Sequence, residues 1–207
     1  MKKGLRSKVL SITEWINNNP ESFSKLKRIA VLLWNLLYAL FNGIIGLKYH
    51  NYWFISMGAW YMILYLLRLL VLTDGKAVKN RRRAAGFGIC QLAVVLAGII
   101  CMGIVERRNP VRNEIIMIAM ALYTFVTMTF AIINTIKAGK KKDELLEIEK
   151  NVSLVSAIGS ILSLERGMLG TFGDTSDKLT LILEATSGAA AFIVVMLIGI
   201  SLIRRKT

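Results

Sequence analysis

Apolar residues in this chain come in long, nearly unbroken runs, not in the alternation of a half-buried strand or a surface helix. Ile29–Leu47, Tyr52–Leu72, Ala84–Val105, Ile115–Ile136 and Leu179–Ile203 each match the ~20 residues that a helix needs to cross a bilayer. A sixth run, Val152–Leu164, is short, but "DELLEIEKN" before it and "ERGML" after it are good helix formers that extend it over 150–168. The pattern predicts an all-α integral membrane protein, a six-transmembrane-helix bundle with an N-terminal amphipathic helix. Its spans are 29–47, 52–72, 84–105, 115–136, 150–168 and 179–203, within one transmembrane domain over 29–207.

Ahead of the first span, Leu5, Val9, Ile12 and Ile16 recur at helical spacing among Lys2, Lys3, Arg6 and Lys8. Residues 1–28 therefore read as a basic amphipathic cytoplasmic segment lying on an anionic inner leaflet. "NNNP" breaks that element, with Pro20 as the first residue of the next helix.

Charge adds an orientation. Of 27 basic residues, 20 fall on the side of the amino terminus, six on the other, and Arg68 lies within a span. That bias places both termini in the cytoplasm of a multi-pass cell-membrane protein. It also explains the net charge of +14 without nucleic acid, because the basic residues sit at span ends. Cys90 and Cys101 share one span, about 16 Å apart at about 1.5 Å per residue, too far for a disulfide. With His50 as the single histidine, no metal or cofactor motif can be built.

Small residues mark where helices approach: Gly86, Cys90, Ala93, Ala97 and Cys101 in the third span, Ser156, Ser160, Ser163 and Gly167 in the fifth, and "SGAAA" at 187–191. Polar side chains within spans need partners or a watery cavity. Asn35, Tyr38 and Asn42 share one face of the first span, Tyr61, Tyr65 and Arg68 one face of the second, and Tyr123, Thr127 and Asn134 a stripe of the fourth. Asn35, Arg68, Gln91 and Asn134 fall at similar depth near the cytoplasmic side, as an expected polar set. Arg68 lies near enough to its span end to snorkel to lipid phosphate; an interior anion or head-group site is the sharper alternative. Glu184 sits about a turn and a half inside the last span. A carboxylate there needs compensation, by a cation, Arg166, an outer arginine or protonation, and structural pairing is the simpler role beside a cation or proton site. Glu165 and Arg166, with Asp174 and Asp177, face the same outer side as Arg107, Arg108 and Arg112 and outline a mixed-charge vestibule.

Enzyme signatures are missing: there is no Gly-x-Ser-x-Gly, no His-Glu-x-x-His and no phosphate-binding glycine loop. "DG" at 74–75 and "GDTSDK" at 173–178 echo pieces of the CDP-alcohol phosphotransferase signature, but about a hundred residues separate them where that family needs one compact motif. The size and six-span plan are similar to those of the substrate-binding subunits of energy-coupling-factor vitamin transporters, a likeness of plan with no shared motif. The leading expectation is a solute or lipid transporter, or the membrane-embedded binding subunit of one. Its ligand-binding candidates are Glu184, Glu165, Arg166, Arg68, Asn35, Gln91 and Asn134. A non-catalytic interaction or assembly subunit that docks a membrane partner is the alternative, and a membrane-embedded enzyme comes third.

Overall fold

The computed structural model describes residues 20–73, 78–106, 113–141, 144–172 and 178–204. They form six helices: α1 Pro20–Lys48, α2 Tyr52–Thr73, α3 Val78–Glu106, α4 Glu114–Lys141, α5 Glu144–Phe172 and α6 Lys178–Arg204. All six are long and apolar enough to cross a bilayer. Each predicted span lies inside one of them, and the short fifth run is extended at both ends as its flanks implied. Residues 1–19, most of the expected amphipathic segment, lie outside the described residues, whereas 20–28 continue directly into α1. The acidic loop residues Asp174 and Asp177 and the basic Arg107, Arg108 and Arg112 also lie outside them.

Contacts between side chains fix the directions of the helices. The starts of α1 and α5 meet the ends of α2 and α4 through Arg28–Glu149, Arg68–Ser153 and Asn134–Ser153. Gly86 near the start of α3 meets Ile203 at the end of α6. These groups define one face of the bundle, called here the termini face. On the opposite face the start of α2, the ends of α3 and α5, and the start of α6 converge on Arg166.

Helices pair most closely as α1 with α2, α4 with α5, and α3 with α6. Glycine makes the first approach possible: a Cβ on Gly58 would lie 2.9 Å from the Gly43 nitrogen and 3.1 Å from the Ala39 carbonyl oxygen. The α1–α2 turn is tight. His50 takes a left-handed φ of 48°, and the Asn51 side chain caps α2 by accepting from the Phe54 N–H. Asn113 caps α4 in the same way, accepting from the N–H groups of Ile115 and Ile116. The α3–α6 pair is equally close: a Cβ on Gly199 would lie 2.6 Å from Cys90 Sγ and 3.0 Å from the Gly86 carbonyl oxygen.

Trp60 joins these pairs. It is fully buried, donates its indole N–H to the Leu92 carbonyl of α3 at 3.1 Å, and lays its ring against Gly159 of α5. A large indole buried in an apolar span needs such a partner for its one polar atom, and a glycine opposite to leave room for the ring.

Candidate functional site

The span of α5 is the least apolar of the six and has the largest buried share. The cause is a polar stripe. Glu149, Ser153, Ser156, Ser160 and Ser163 follow one another at steps of four, three, four and three, so they share one face of α5 over roughly 21 Å. In hydrocarbon these groups would be costly, and the bundle turns them inward, where all four serines are buried. Around the stripe stand α1, α2 and α4, and three sets of side chains occupy successive depths.

At the termini face an open cleft holds about 470 Å³, its open side included. Arg28, Arg68, Asn134 and Glu149 supply its polar groups, and Val31, Leu32, Val71, Ile148 and Val152 its apolar wall. Arg28 pairs with Glu149, Nε to Oε1 at 2.6 Å. Arg68 is directed differently. In a helix running toward the termini face, side chains tilt back toward the middle of the bundle. Its guanidinium accordingly reaches across to donate to Ser153 Oγ at 3.4 Å, and its buried Nε has no hydrogen-bond partner. Ser153 Oγ also accepts from the Asn134 side-chain amide at 2.8 Å, which ties α2, α4 and α5 at one atom.

At mid-depth the seam is aromatic. The Tyr38 and Tyr123 rings stack at 3.4 Å, and Tyr61 stands edge-on to both, at 4.7 and 5.7 Å. Tyr123 donates to Asn35 Oδ1 at 3.0 Å, and Ser156 donates to the same oxygen at 3.4 Å. The Asn35 amide nitrogen, the Tyr38 and Tyr61 hydroxyls and Asn42 Oδ1 are buried without a hydrogen bond of good geometry, although Asn42 and Ser163 lie near those hydroxyls. An unsatisfied buried polar atom costs about 1–3 kcal/mol. Four in one short stretch of a bundle are therefore an exception that the packing alone does not explain.

On the opposite face Arg166 takes three partners at once. It donates to Glu184 Oε2 at 2.9 Å and to the Gly103 carbonyl at 3.2 Å, and its guanidinium lies 4.3 Å above the Trp53 ring. Glu165, Glu184 and Ser187 line the same small cavity. Arg166 thus compensates the Glu184 carboxylate and joins α2, α3, α5 and α6, and a second cavity of about 420 Å³, lined by Asn51, Trp53, Met120, Ser163 and Arg166, lies on its other side.

The sequence-derived candidates are brought together in part. Arg68 and Asn134 meet at Ser153, Asn35 lies deeper in the same seam, and Glu165, Arg166 and Glu184 form a separate group at the other face. Gln91 joins neither. It sits on an exposed side of α3, because the inward face of that helix at this depth is taken by Ile89, Leu92 and Ala93. The Arg28–Glu149 pair and the Trp60 wedge are additions. Glu149 was signalled by its register, one step of four ahead of Ser153, and Arg28 only by its place at a span end. Comparison with protein-family models, with curated proteins and with solved structures gives no match.

Proposed function

We propose that this chain is a multi-pass membrane protein that binds, and passes between the two faces of the bundle, a small solute or lipid along the polar seam of α5. The observation that carries the reading is the set of buried, unpartnered polar atoms at Asn35, Tyr38, Asn42 and Tyr61, directly beyond a cleft with an unpaired guanidinium nitrogen. A purely structural bundle has no use for such atoms, whereas a ligand path needs donors and acceptors that a passing group can engage. In this reading the termini face is cytoplasmic, in keeping with the excess of Lys and Arg on it. The stacked Tyr38 and Tyr123 rings are the constriction, and the Arg166–Glu184 pair is the closed end. Opening requires the α1–α2 hairpin to move relative to α4–α5, since long side chains, not close backbones, join α1 to α4 across the seam.

The test is mass spectrometry of small molecules and lipids that copurify with the protein in mild detergent, for the natural chain and for Asn35→Leu/Tyr61→Phe. A species retained by the first and lost from the second, with both monodisperse, supports the reading. Retention of one stoichiometric protein partner, with no small molecule dependent on the seam, assigns the chain to membrane assembly instead.

A further inference from the structure

The cleft at the termini face has a composition that names its ligand more closely than the seam does. Its charged lining consists of two arginines and one glutamate. Arg28 and Glu149 form an ion pair at 2.6 Å without hydrogen-bond geometry, which balances their charges and leaves a net single positive charge, with Arg68 facing a neutral serine. That guanidinium has one long hydrogen bond and one buried nitrogen without any. It lies five residues before the end of α2, about 7–8 Å inside at about 1.5 Å per residue, and leans further inward. A half-buried cation at that depth, with its Nε fully buried, is stabilised by an anion with parallel acceptor oxygens, as the planar fork of Arg engages phosphate or carboxylate. Beside it, Val31, Leu32 and Val71 are wall for an apolar body. Because the cleft is open on one side, its ligand keeps much of its bulk outside, which suits an amphiphile lodged in a leaflet better than a fully enclosed solute.

We infer that this cleft binds the singly charged anionic head of a membrane amphiphile, a phosphodiester or carboxylate, with Arg68 as the anion ligand and Asn134 and Ser153 as the polar floor. The inference rests on the ligand-path reading above and specifies the ligand class of its termini-face end. Arg28 and Glu149 bound the mouth, and their mutual neutralisation keeps the site selective for one negative charge.

Native mass spectrometry of the full chain in neutral detergent tests this with two probes of equal acyl chains, phosphatidylglycerol and phosphatidylcholine, and with inorganic phosphate as competitor. Phosphatidylglycerol is expected to be retained at least about tenfold more strongly than phosphatidylcholine, the size of effect that one charge-assisted contact gives. Arg68→Gln is expected to abolish that preference and Arg68→Lys to keep most of it. Lys137→Gln, which removes an exposed charge from the same face outside the cleft, is expected to leave it unchanged. If Arg68→Gln does not fold, Val31→Trp, which fills the cleft and leaves Arg68 in place, must lose the preference. Equal retention of the two lipids, or a preference that survives both Arg68→Gln and Val31→Trp, would overturn the inference, as would a loss with Lys137→Gln equal to that with Arg68→Gln. Competition by millimolar inorganic phosphate that removes phosphatidylglycerol would also overturn it, by assigning the site to a free anion. A lipid preference lost in Arg68→Gln but without any seam-dependent ligand leaves this site standing and refutes the path. Seam-dependent retention of some other ligand with no lipid preference does the reverse.

Discussion

Two helix interfaces in this bundle solve the same problem in opposite ways. Between α3 and α6, Gly86 and Gly199 bring the backbones together until even a methyl group would clash. Between the close α1–α2 pair and the close α4–α5 pair, tyrosines, asparagines and serines bridge the gap and leave polar atoms unmatched. In a bilayer, which all six helices are long and apolar enough to cross, lipid would offer no hydrophobic drive for either, so close packing would hold the first and the hydrogen-bond network the second. The contrast teaches where rigidity and adaptability lie. A dry seam of small residues has one good arrangement, whereas a seam with spare donors and acceptors has several of similar free energy.

The largest expected effect breaks the dry side. Gly199→Leu drives a side chain into Cys90 Sγ and the Gly86 carbonyl, and thermal unfolding in detergent should show a loss of about 3 kcal/mol, the upper part of the overpacking range. A fully stable variant would mean that α3 and α6 do not pack as described. Next comes the closed end. Arg166→Gln leaves Glu184 without its cation and should cost about 2 kcal/mol, below the ~3–5 kcal/mol of a wholly buried pair because both side chains keep about a fifth of their exposure. The double variant Arg166→Gln/Glu184→Gln should recover part of that loss, and a strictly additive double would refute the pairing. Smallest, and most telling for the seam, is a pair of hydroxyl deletions. Tyr123→Phe removes a bond to Asn35 and should cost roughly 0.6 kcal/mol, the mean for such bonds in membranes. Tyr38→Phe removes a hydroxyl that makes no hydrogen bond of good geometry and should be neutral or slightly stabilising, while weakening retention of the copurifying ligand. Equal losses from the two would show that the Tyr38 hydroxyl is satisfied.

Much of this was legible in the chain. Run length located all six helices, and helix-forming flanks extended the short fifth one. The spacing of three and four residues found both interfaces: Gly86 and Cys90 do meet α6, and the serines of α5 do face inward. Depth showed that Glu184 needs compensation but not which of several kinds, and it is Arg166 that supplies it. What spacing does not contain is azimuth relative to neighbours. Gln91 shares a depth with the polar set but lies on the wrong side of α3, and depth alone could not distinguish the two cases. For the same reason Arg68, four residues from its predicted span end, reads as a snorkelling residue until the tilt of its side chain toward Ser153 is seen. Glu149 was hidden by convention: it lies just outside the apolar run, although it opens the very stripe that the serines continue.

The central claim is that the serine stripe of α5 borders a polar path while the α3–α6 interface is dry. Single cysteines at 153, 156, 161 and 195 in a Cys90→Ser/Cys101→Ser background, treated with a water-soluble cationic methanethiosulfonate, test it directly. Positions 153 and 156 should react measurably, and faster at 153, nearer the cleft. Position 161, on the exposed apolar side of α5, and position 195, on the buried stripe of α6 that carries Gly188 and Gly199, should stay unmodified on the same timescale. Protection at 153 and 156 equal to that at 195 would contradict the account.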